Sequence, residues 1–477
     1  MERSRNLSEK NNYTQTRKSF WDDLANTPTN IFSSFYHRRI HKIFRLIVPE
    51  ESFVLEIGCS QGDLLEALKP KYGLGIDFSE QMINVAKKKY PELNFATIDA
   101  LELNLKVQRF DFIIMSDLIN DLWDVQTMLN KLRPFCKPET RLIFNFYSRL
   151  WQIPLKIAQK LNIAKPFLTQ NWLTIQDVKN ILELENYKTM RSWQEIILPI
   201  PIPGARFINL FFPKIFPFRW LAFTNFLVAR PMFSPNKKMP STTILVPARN
   251  EEGHIEEIIS RIPQLGAWTE IIFVEGNSTD KTFNSIKSAI KENPKLNCKL
   301  IKQPGVGKGD AVRAGFRIAK GDILMILDAD MTVPPEDLNR FYDAIANNYG
   351  EFINGVRLVY PMDDDAMRFF NIVGNKFFAA AFSWLLGQPI RDTLCGTKVI
   401  SRTNYEKIAL NRKYFGDFDP FGDFDLLFGA AKQNLDILEI PIRYRSREYG
   451  ETNISRWKHG FLLLKMVIFA ARRIKFM

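Results

Sequence analysis

Two aspartates separated by one alanine are the residues best suited to chemistry in this chain. Asp328 and Asp330 follow a wholly apolar run, Ile323 to Leu327, in the segment G-D-I-L-M-I-L-D-A-D-M-T-V-P-P. The run reads as a buried strand that stops before Pro334 and Pro335. Alternation along an extended chain places both carboxylates on one side, with Ala329 turned away. Two hard oxygen donors at a strand end suit Mg²⁺ or Mn²⁺ and leave positions for a diphosphate. A lone D-x-D is common and means little. This one follows a buried strand, precedes a Pro-Pro stop and comes after N-E-E in P-A-R-N-E-E (Pro247 to Glu252), and that combination is strong; a Gly-rich segment, G-V-G-K-G-D-A-V-R-A-G, also lies upstream. The Gly-rich segment is not a Walker loop, because Lys308 is followed by Gly, not Ser or Thr.

A second constellation lies in the first half. The segment E-I-G-C-S-Q-G, Glu56 to Gly62, follows an apolar run that starts at Phe53. An apolar helix through Leu64, Leu65 and Leu68 comes next, and a strand, a Gly-bearing turn and a helix open a doubly wound unit. The next strand, Tyr72 to Ile76, ends in Asp77, and a carboxylate there can accept both hydroxyls of a ribose. A helix from Glu80 to Lys89 leads to strand Phe95 to Ile98, which ends in Asp99. Strand Phe110 to Met115 ends in Ser116 and Asp117. Carboxylates at consecutive strand ends matter because ligands of such sheets bind at the carboxyl edge. NAD competes for this pattern, but E-x-G-x-x-x-G is not G-x-G-x-x-G, which favours a methyl donor. The stretch S-D-L-I-N-D-L-W-D, Ser116 to Asp124, brings carboxylates to where an acceptor approaches, without naming a base.

Residues Arg38 to Tyr147 resemble the class I S-adenosylmethionine-dependent methyltransferases. The resemblance implies that Glu56, Gly58 and Gly62 form the glycine loop, that Asp77 holds the ribose and that Asp99 sits near the adenine. Ser60 stands where the family has Gly. Residues Ser241 to Arg456 resemble family 2 glycosyltransferases of the GT-A fold, especially the polyprenyl-phosphate hexosyltransferases. That resemblance implies metal-dependent, inverting hexosyl transfer. Pro247, Arg249, Asn250 and Glu251 would cradle the nucleotide, with Glu275 and Lys308 in the same donor site. Asp328 and Asp330 would hold the metal. Asp392 and Gly396, in R-D-T-L-C-G-T-K, match an acceptor-side motif, and Arg447, Gly450, Thr452 and Asn453 match a closing loop. The chain departs from the family at Glu275-Gly276, where Asp-Asp is usual, and at Asn453, where Lys is usual.

The acceptor decides which other residues are needed. A polyprenyl phosphate is already an anionic nucleophile, so it needs cations rather than a base. Arg357, Arg368 and Arg447 are the candidates. A sugar hydroxyl would instead require a carboxylate base, Asp423 first and Asp425 second. The apolar helix Phe369 to Leu386 faces either a lipid tail or the core.

These sites require two α/β domains: a doubly wound, Rossmann-like methyltransferase fold, then a GT-A nucleotide-diphospho-sugar transferase fold. The length of 477 residues accommodates them. The expected division is an N-terminal extension (1–37), a methyltransferase-like domain (38–195), a basic aromatic linker (196–239), a glycosyltransferase domain (240–456) and a basic apolar tail (457–477). At 46% hydrophobic and 25% charged residues, the chain is not disordered. Its four scattered histidines make a His-built zinc site improbable, and its four cysteines form no C-x-x-C pair, which suits a reducing compartment. No apolar leader and no run of about 18 uncharged apolar residues is present.

The formal charge is +13, unevenly distributed. From Ile196 to Asn250 there is no acid, but there are seven Lys or Arg residues, and eight Phe and Trp220 fall between Phe207 and Phe233. The tail from Arg443 carries nine basic residues against two Glu. Rings and cations without acids suit an anionic lipid surface. No nucleic-acid module is recognisable. The expectation is a bifunctional enzyme at the cytoplasmic face of a membrane. It would use S-adenosylmethionine and Mg²⁺ or Mn²⁺, with a nucleotide-diphosphate sugar and a polyprenyl phosphate or other lipid or glycan as partners. The alternative is a transferase to a hydroxyl, its first half a non-catalytic binding module.

Overall fold

A computed structural model of the chain describes residues 2–27, 31–103, 105, 108–160, 168–234, 239–357, 359, 369–412, 423–443 and 456–476. It divides into two compact units, Met1–Phe233 and Ser234–Met477. The first holds strands β1 (Phe53–Ile57), β2 (Tyr72–Asp77), β3 (Asn94–Thr97), β4 (Phe110–Ser116), β5 (Cys136–Tyr147), β6 (Tyr187–Glu195) and β7 (Thr224–Pro231). They form one sheet in the order β3-β2-β1-β4-β5-β7-β6. The first five are parallel, and β7 runs antiparallel to both β5 and β6. Helices cover both faces, so inner strands bury consecutive residues: Val54 and Leu55 on β1, Ile113, Ile114 and Met115 on β4.

The linker expected at 196–239 does not exist as such. Residues Thr224–Pro231 form an inner strand buried along its whole length. Leu227 pairs with Phe144 on β5, and the ring of Phe226 stacks on Trp193 of β6 at 5.2 Å. An inner strand covered on both faces is apolar throughout, so its composition mimics a membrane-directed linker. The N-terminal extension is also part of the unit. Helix Ile31–Ile47 spans the expected boundary at residue 37 and buries Ile40, Ile43, Phe44 and Ile47 against Val54 and Ile114.

The second unit holds β8 (Thr242–Ala248), β9 (Thr269–Glu275), β10 (Asn297–Lys302), β11 (Ile323–Ile326), β12 (Phe352–Val356), β13 (Lys398–Ser401) and β14 (Ile437–Pro441). Their order is β10-β9-β8-β11-β13-β12-β14. The sheet is mixed rather than wholly parallel, because β13 runs antiparallel between β11 and β12. An antiparallel strand begins at the edge where its parallel neighbours end. The segment before β13 is therefore delivered to the carboxyl edge, beside the end of β11. The expected tail is a core helix as well: Arg456–Ala470 buries Leu463, Met466 and Ala470 in a cluster with Phe382 and Phe428. Helix Phe369–Leu386 likewise buries Phe382, Leu385 and Leu386, while Phe377 is exposed.

A fragment ending at residue 195 lacks β7, which separates β5 from β6, and is expected to be unfolded or aggregated. A fragment ending at residue 233 should give native-like near-ultraviolet circular dichroism and a cooperative melt. Equal melts for both fragments would contradict the strand order.

Candidate functional sites at the carboxyl edges

In the first unit the glycine loop turns between β1 and helix Asp63–Ala67. Gly58 and Gly62 have φ of 71° and 81°, and neither tolerates a side chain. A Cβ on Gly58 would lie 2.8 Å from Leu118 Cδ1, and one on Gly62 would lie 2.6 Å from Phe95 Cζ. Ser60 keeps the left-handed backbone of the glycine it replaces, at φ 48°. Its amide donates to Asp77 Oδ2 at 2.9 Å, and the amide of Ser79 donates to Asp77 Oδ1 at 2.9 Å. Asp77 is thus fixed at the end of β2, and burial pushes its carboxyl up against those bonds. Glu56 is buried, its Oε2 has no hydrogen-bond partner among the described residues, and burial raises its carboxyl well above the ordinary range. An orphaned carboxylate oxygen beside a tight glycine turn fits a ligand carrying hydroxyls and positive charge. Asp99, past β3, accepts from the Leu101 amide at 2.7 Å.

At the end of β4 the structure gathers groups that no sequence motif connects. Asp117 Oδ1 accepts from Tyr36 OH at 2.9 Å and from Asn145 Nδ2 at 2.6 Å. Its Oδ2 has no partner among the described residues. Burial pushes Asp117 up to about 7, against those two hydrogen bonds, and pushes Asp121 up to about 6, against the Arg17 guanidinium 3.7 Å away. Helix Glu2–Leu24 crosses this edge. Asp22 Oδ1 accepts from Ser79 Oγ at 2.5 Å past β2, and Tyr13 OH donates to the Asp121 carbonyl at 3.3 Å past β4. Tyr36, Asn145, Arg17 and Asp22 were missed from sequence. The apolar residues of that helix are few and form no continuous stripe along it, so periodicity gave no sign that it packs anywhere.

In the second unit β11 delivers Asp328 and Asp330. Lys308, first residue of helix Lys308–Ile318, places Nζ 2.5 Å from Asp328 Oδ1. Gly396, just before β13, closes the other side: a Cβ there would lie 1.8 Å from Asp328 Oδ2 and 2.4 Å from Lys308 Nζ. Burial opposes ionisation of Asp328, but Lys308, Lys398 and Arg357 hold its carboxyl below the usual range. Asp330 Oδ1 accepts from Thr332 N at 3.2 Å and Oγ1 at 2.7 Å, which fixes the second carboxylate. Two anchored carboxylates at one strand end fit a divalent ion, with remaining positions left to phosphate and water.

The side expected to face a nucleotide is stitched from two loops. Asn250, at φ 57°, accepts through Oδ1 from Thr279 N at 2.9 Å, and its own amide donates to Ser278 Oγ at 3.1 Å. Glu251 is buried and lies 2.9 Å from His254 Nδ1. Arg249 is exposed at the turn beyond β8, and Pro247 lies within that strand. Glu275 is buried, and its Oε1 accepts from Ser278 N at 2.5 Å, so it braces the turn from within. At Gly276, where the family has Asp, a Cβ would lie 3.1 Å from Arg249 Cβ, a tight approach of the two turns.

Two expected roles change. Asp392 was expected to face the acceptor, but it is fully buried. Arg357 grips it with Nε at 2.7 Å and Nη2 at 2.8 Å, so the pair holds the segment before β13 in place. Asp425, the second-choice base, is bound through Oδ2 by Arg412 Nε at 2.7 Å. Arg368, Arg447 and the closing loop lie outside the described residues, as does the side chain of Asp423 at the start of helix Asp423–Lys432.

Residues 243–409 match the family model described as glycosyl transferase family 2, and residues 54–139 match a methyltransferase domain model. The chain resembles a methyltransferase domain followed by a family 2 glycosyltransferase domain. Glycosyltransferase AglJ of Haloferax volcanii is 28% identical over 222 residues, 46% of this chain and 68% of that protein. A dolichyl-phosphate hexose transferase of the same organism is 27% identical over 220 residues, 46% of this chain and 89% of that one. A dolichol-phosphate mannosyltransferase of Pyrococcus furiosus is 32% identical over 219 residues, 44% of this chain and 58% of that one. Each match spans less than half of the fused chain, and the share of the relatives' own lengths runs from 58% to 89%.

Titration of the two buried aspartates should differ in sign. Asp392 is held near 2: burial alone would raise it, and Arg357 overcomes that. Its stabilisation is present above about pH 4 and lost as pH falls toward 2. Removing it strands the half-buried Arg357 charge, so Asp392→Ala should cost about 3 kcal/mol in urea unfolding at pH 7. Asp117, raised to about 7, favours the folded state below about pH 4, and that contribution is lost as pH rises through 7. Asp117→Asn should therefore flatten the fall in Tm between pH 5 and pH 8, measured by calorimetry.

Proposed function

We propose that the second unit transfers a hexosyl group from a nucleotide-diphosphate sugar to a polyprenyl phosphate, with inversion. We propose too that the first unit binds S-adenosylmethionine and transfers its methyl group. The observation that carries the first reading is the convergence of Lys308, Asp328 and Gly396 just beyond β11, with Asp330 two residues further on anchored by Thr332. Two anchored carboxylates beside an ammonium suit the diphosphate of a sugar nucleotide and its counter-ion. Two relatives, a dolichyl-phosphate hexose transferase and a dolichol-phosphate mannosyltransferase, support a lipid-phosphate acceptor.

A divalent ion held by Asp328 and Asp330 would neutralise charge on the departing nucleoside diphosphate. The chain's own residues do the rest. Arg249, Asn250 and Glu251 shape the loop on the nucleotide side. Lys308 sets a cation against the same anion, and Gly396 lets backbone approach where any side chain would intrude. The acceptor phosphate oxygen attacks the anomeric carbon as its bond to the diphosphate breaks. It arrives ionised, so no proton has to be removed. In the first unit, Glu56, Asp77 and the glycine loop would hold the methyl donor. Asp117, with its unpartnered Oδ2, stands at the strand end where an acceptor approaches.

A lipid acceptor requires the enzyme to reach a membrane. Among the described residues no helix is long and apolar enough to cross one. The reading is peripheral attachment at the cytoplasmic face. It is supported by the exposed part of the acid-free segment, residues 215–221 ahead of the buried strand, and by the free state of Cys59, Cys136, Cys298 and Cys395.

Asp328→Asn and Asp330→Asn should each lower transfer from labelled nucleotide sugar to undecaprenyl phosphate by on the order of 100-fold or more. Their melting temperatures should stay near that of the wild type. EDTA should reproduce the loss, and added Mg²⁺ or Mn²⁺ should restore the wild type alone. Asp423→Asn separates the acceptors: a small effect supports phosphate, and a loss matching Asp328→Asn would mean a hydroxyl acceptor. Full activity of Asp330→Asn in the presence of chelator would sink the metal-dependent reading.

A further inference from the structure

Two stretches of this chain contain no acidic residue: 196–250, and a second from Thr140 to Gln176. The residues that meet are up to about 70 positions apart, and the first unit folds the surface parts of the two stretches together. Ser148 N donates to the Phe223 carbonyl at 2.8 Å. Trp151 Nε1 donates to the Leu221 carbonyl at 3.0 Å, and the Trp151 ring stands edge-on to Phe223 at 5.2 Å. A cavity of about 340 Å³ lies where they meet, lined by Ser148, Arg149, Gln194, Arg219, Trp220 and Asn225 among others. Arg149 and Arg219 are both exposed. The acid that acts on Arg149 is Asp177, whose carboxylate is already engaged in capping its helix through Thr174.

The rim of this cavity is apolar and faces outward. Leu150 is 55% exposed, Ile153 68%, Phe216 62% and Trp220 60%. Helix Gln152–Lys160 presents Ile153 and Ile157, one turn apart, away from the core, with exposed Lys156 and Lys160 near them. A helix on a water-facing surface ordinarily turns its apolar stripe inward. Rings and aliphatic groups around a cavity with two guanidiniums match a bilayer interface: apolar groups sink to the acyl boundary, and cations meet phosphates.

We infer that this face of the first unit seats the phosphate headgroup of an anionic bilayer lipid. Arg149 and Arg219 take the phosphate, and Leu150, Ile153, Phe216 and Trp220 enter the acyl boundary. The assignment deepens the peripheral reading above, on which it rests, by naming the surface that attaches.

The test is flotation of the full-length protein with vesicles. One set is phosphatidylcholine; the other mixes phosphatidylcholine with phosphatidylglycerol. Wild type should float with the anionic set and release as salt rises. Arg149→Ala/Arg219→Ala should weaken that binding on the order of 10-fold. Phe216→Ser/Trp220→Ser should weaken it even at low salt. Phe461→Ser/Ile468→Ser, on the exposed side of the C-terminal helix, should float as wild type does. Unchanged melting curves would show that the variants fold. If wild type floats and both first-unit variants float equally well, the face is wrong and peripheral attachment stands. If wild type floats with neither vesicle, peripheral attachment falls too. Equal binding to neutral vesicles would overturn recognition of the headgroup charge. A protein partner in place of lipid would appear as wild type that stays unbound.

Discussion

The carboxylate of Asp328 lies so close to the backbone of Gly396 that no side chain fits between them. Everything at the glycosyltransferase site depends on that approach. It needs a strand end that stops at the right depth, which the buried run Ile323–Ile326 provides. It needs a segment arriving from the opposite direction, which only an antiparallel β13 supplies. It also needs that segment held still, and the buried Arg357–Asp392 pair does so with a bidentate geometry whose desolvation its neighbours offset through Asn375 and backbone amides. Lys308 then completes the site, because an anion this confined requires a fixed cation beside it.

The first unit solves a similar problem with different parts. Its antiparallel strand is β7, and the residue before it, Phe223, packs against Tyr36 and Tyr147 near Asp117. The glycine loop keeps a left-handed backbone at three alternate positions, 58, 60 and 62, although Ser60 lacks a glycine's freedom to adopt it. A seryl residue in that conformation is a local strain that the Asp77 carboxylate helps to hold, by accepting the Ser60 amide.

Much of this was legible in the sequence, for a physical reason. Inner parallel strands are apolar runs ending in polar residues, so Phe53–Ile57 and the approach to Asp328 could be read directly. Helix Glu80–Lys89 was read at both ends, and in the structure Ser79 caps its start by accepting the Met82 amide. What could not be read was contact between distant segments. Residues 196–239 looked like a linker because apolar composition does not distinguish a covered inner strand from a membrane-seeking stretch. The partner of Asp392 was missed because ion pairing leaves no spacing signal between positions 357 and 392. The cluster of Tyr36, Asp117 and Asn145 joins three elements, none of which carries a motif for the others.

The strand order of the first unit also governs how it is made. Strands β5 and β6 leave the ribosome well before β7, yet neither pairs with the other. Residues 187–195 therefore emerge as an edge without a neighbour until Thr224–Pro231 has been synthesised. During that interval, β5 presents an open apolar edge, the kind of surface that chaperones and aggregates both recognise. Translation speed across residues 196–231, where prolines and aromatic residues are dense, thus sets how long the nascent chain stays exposed before its sheet can close.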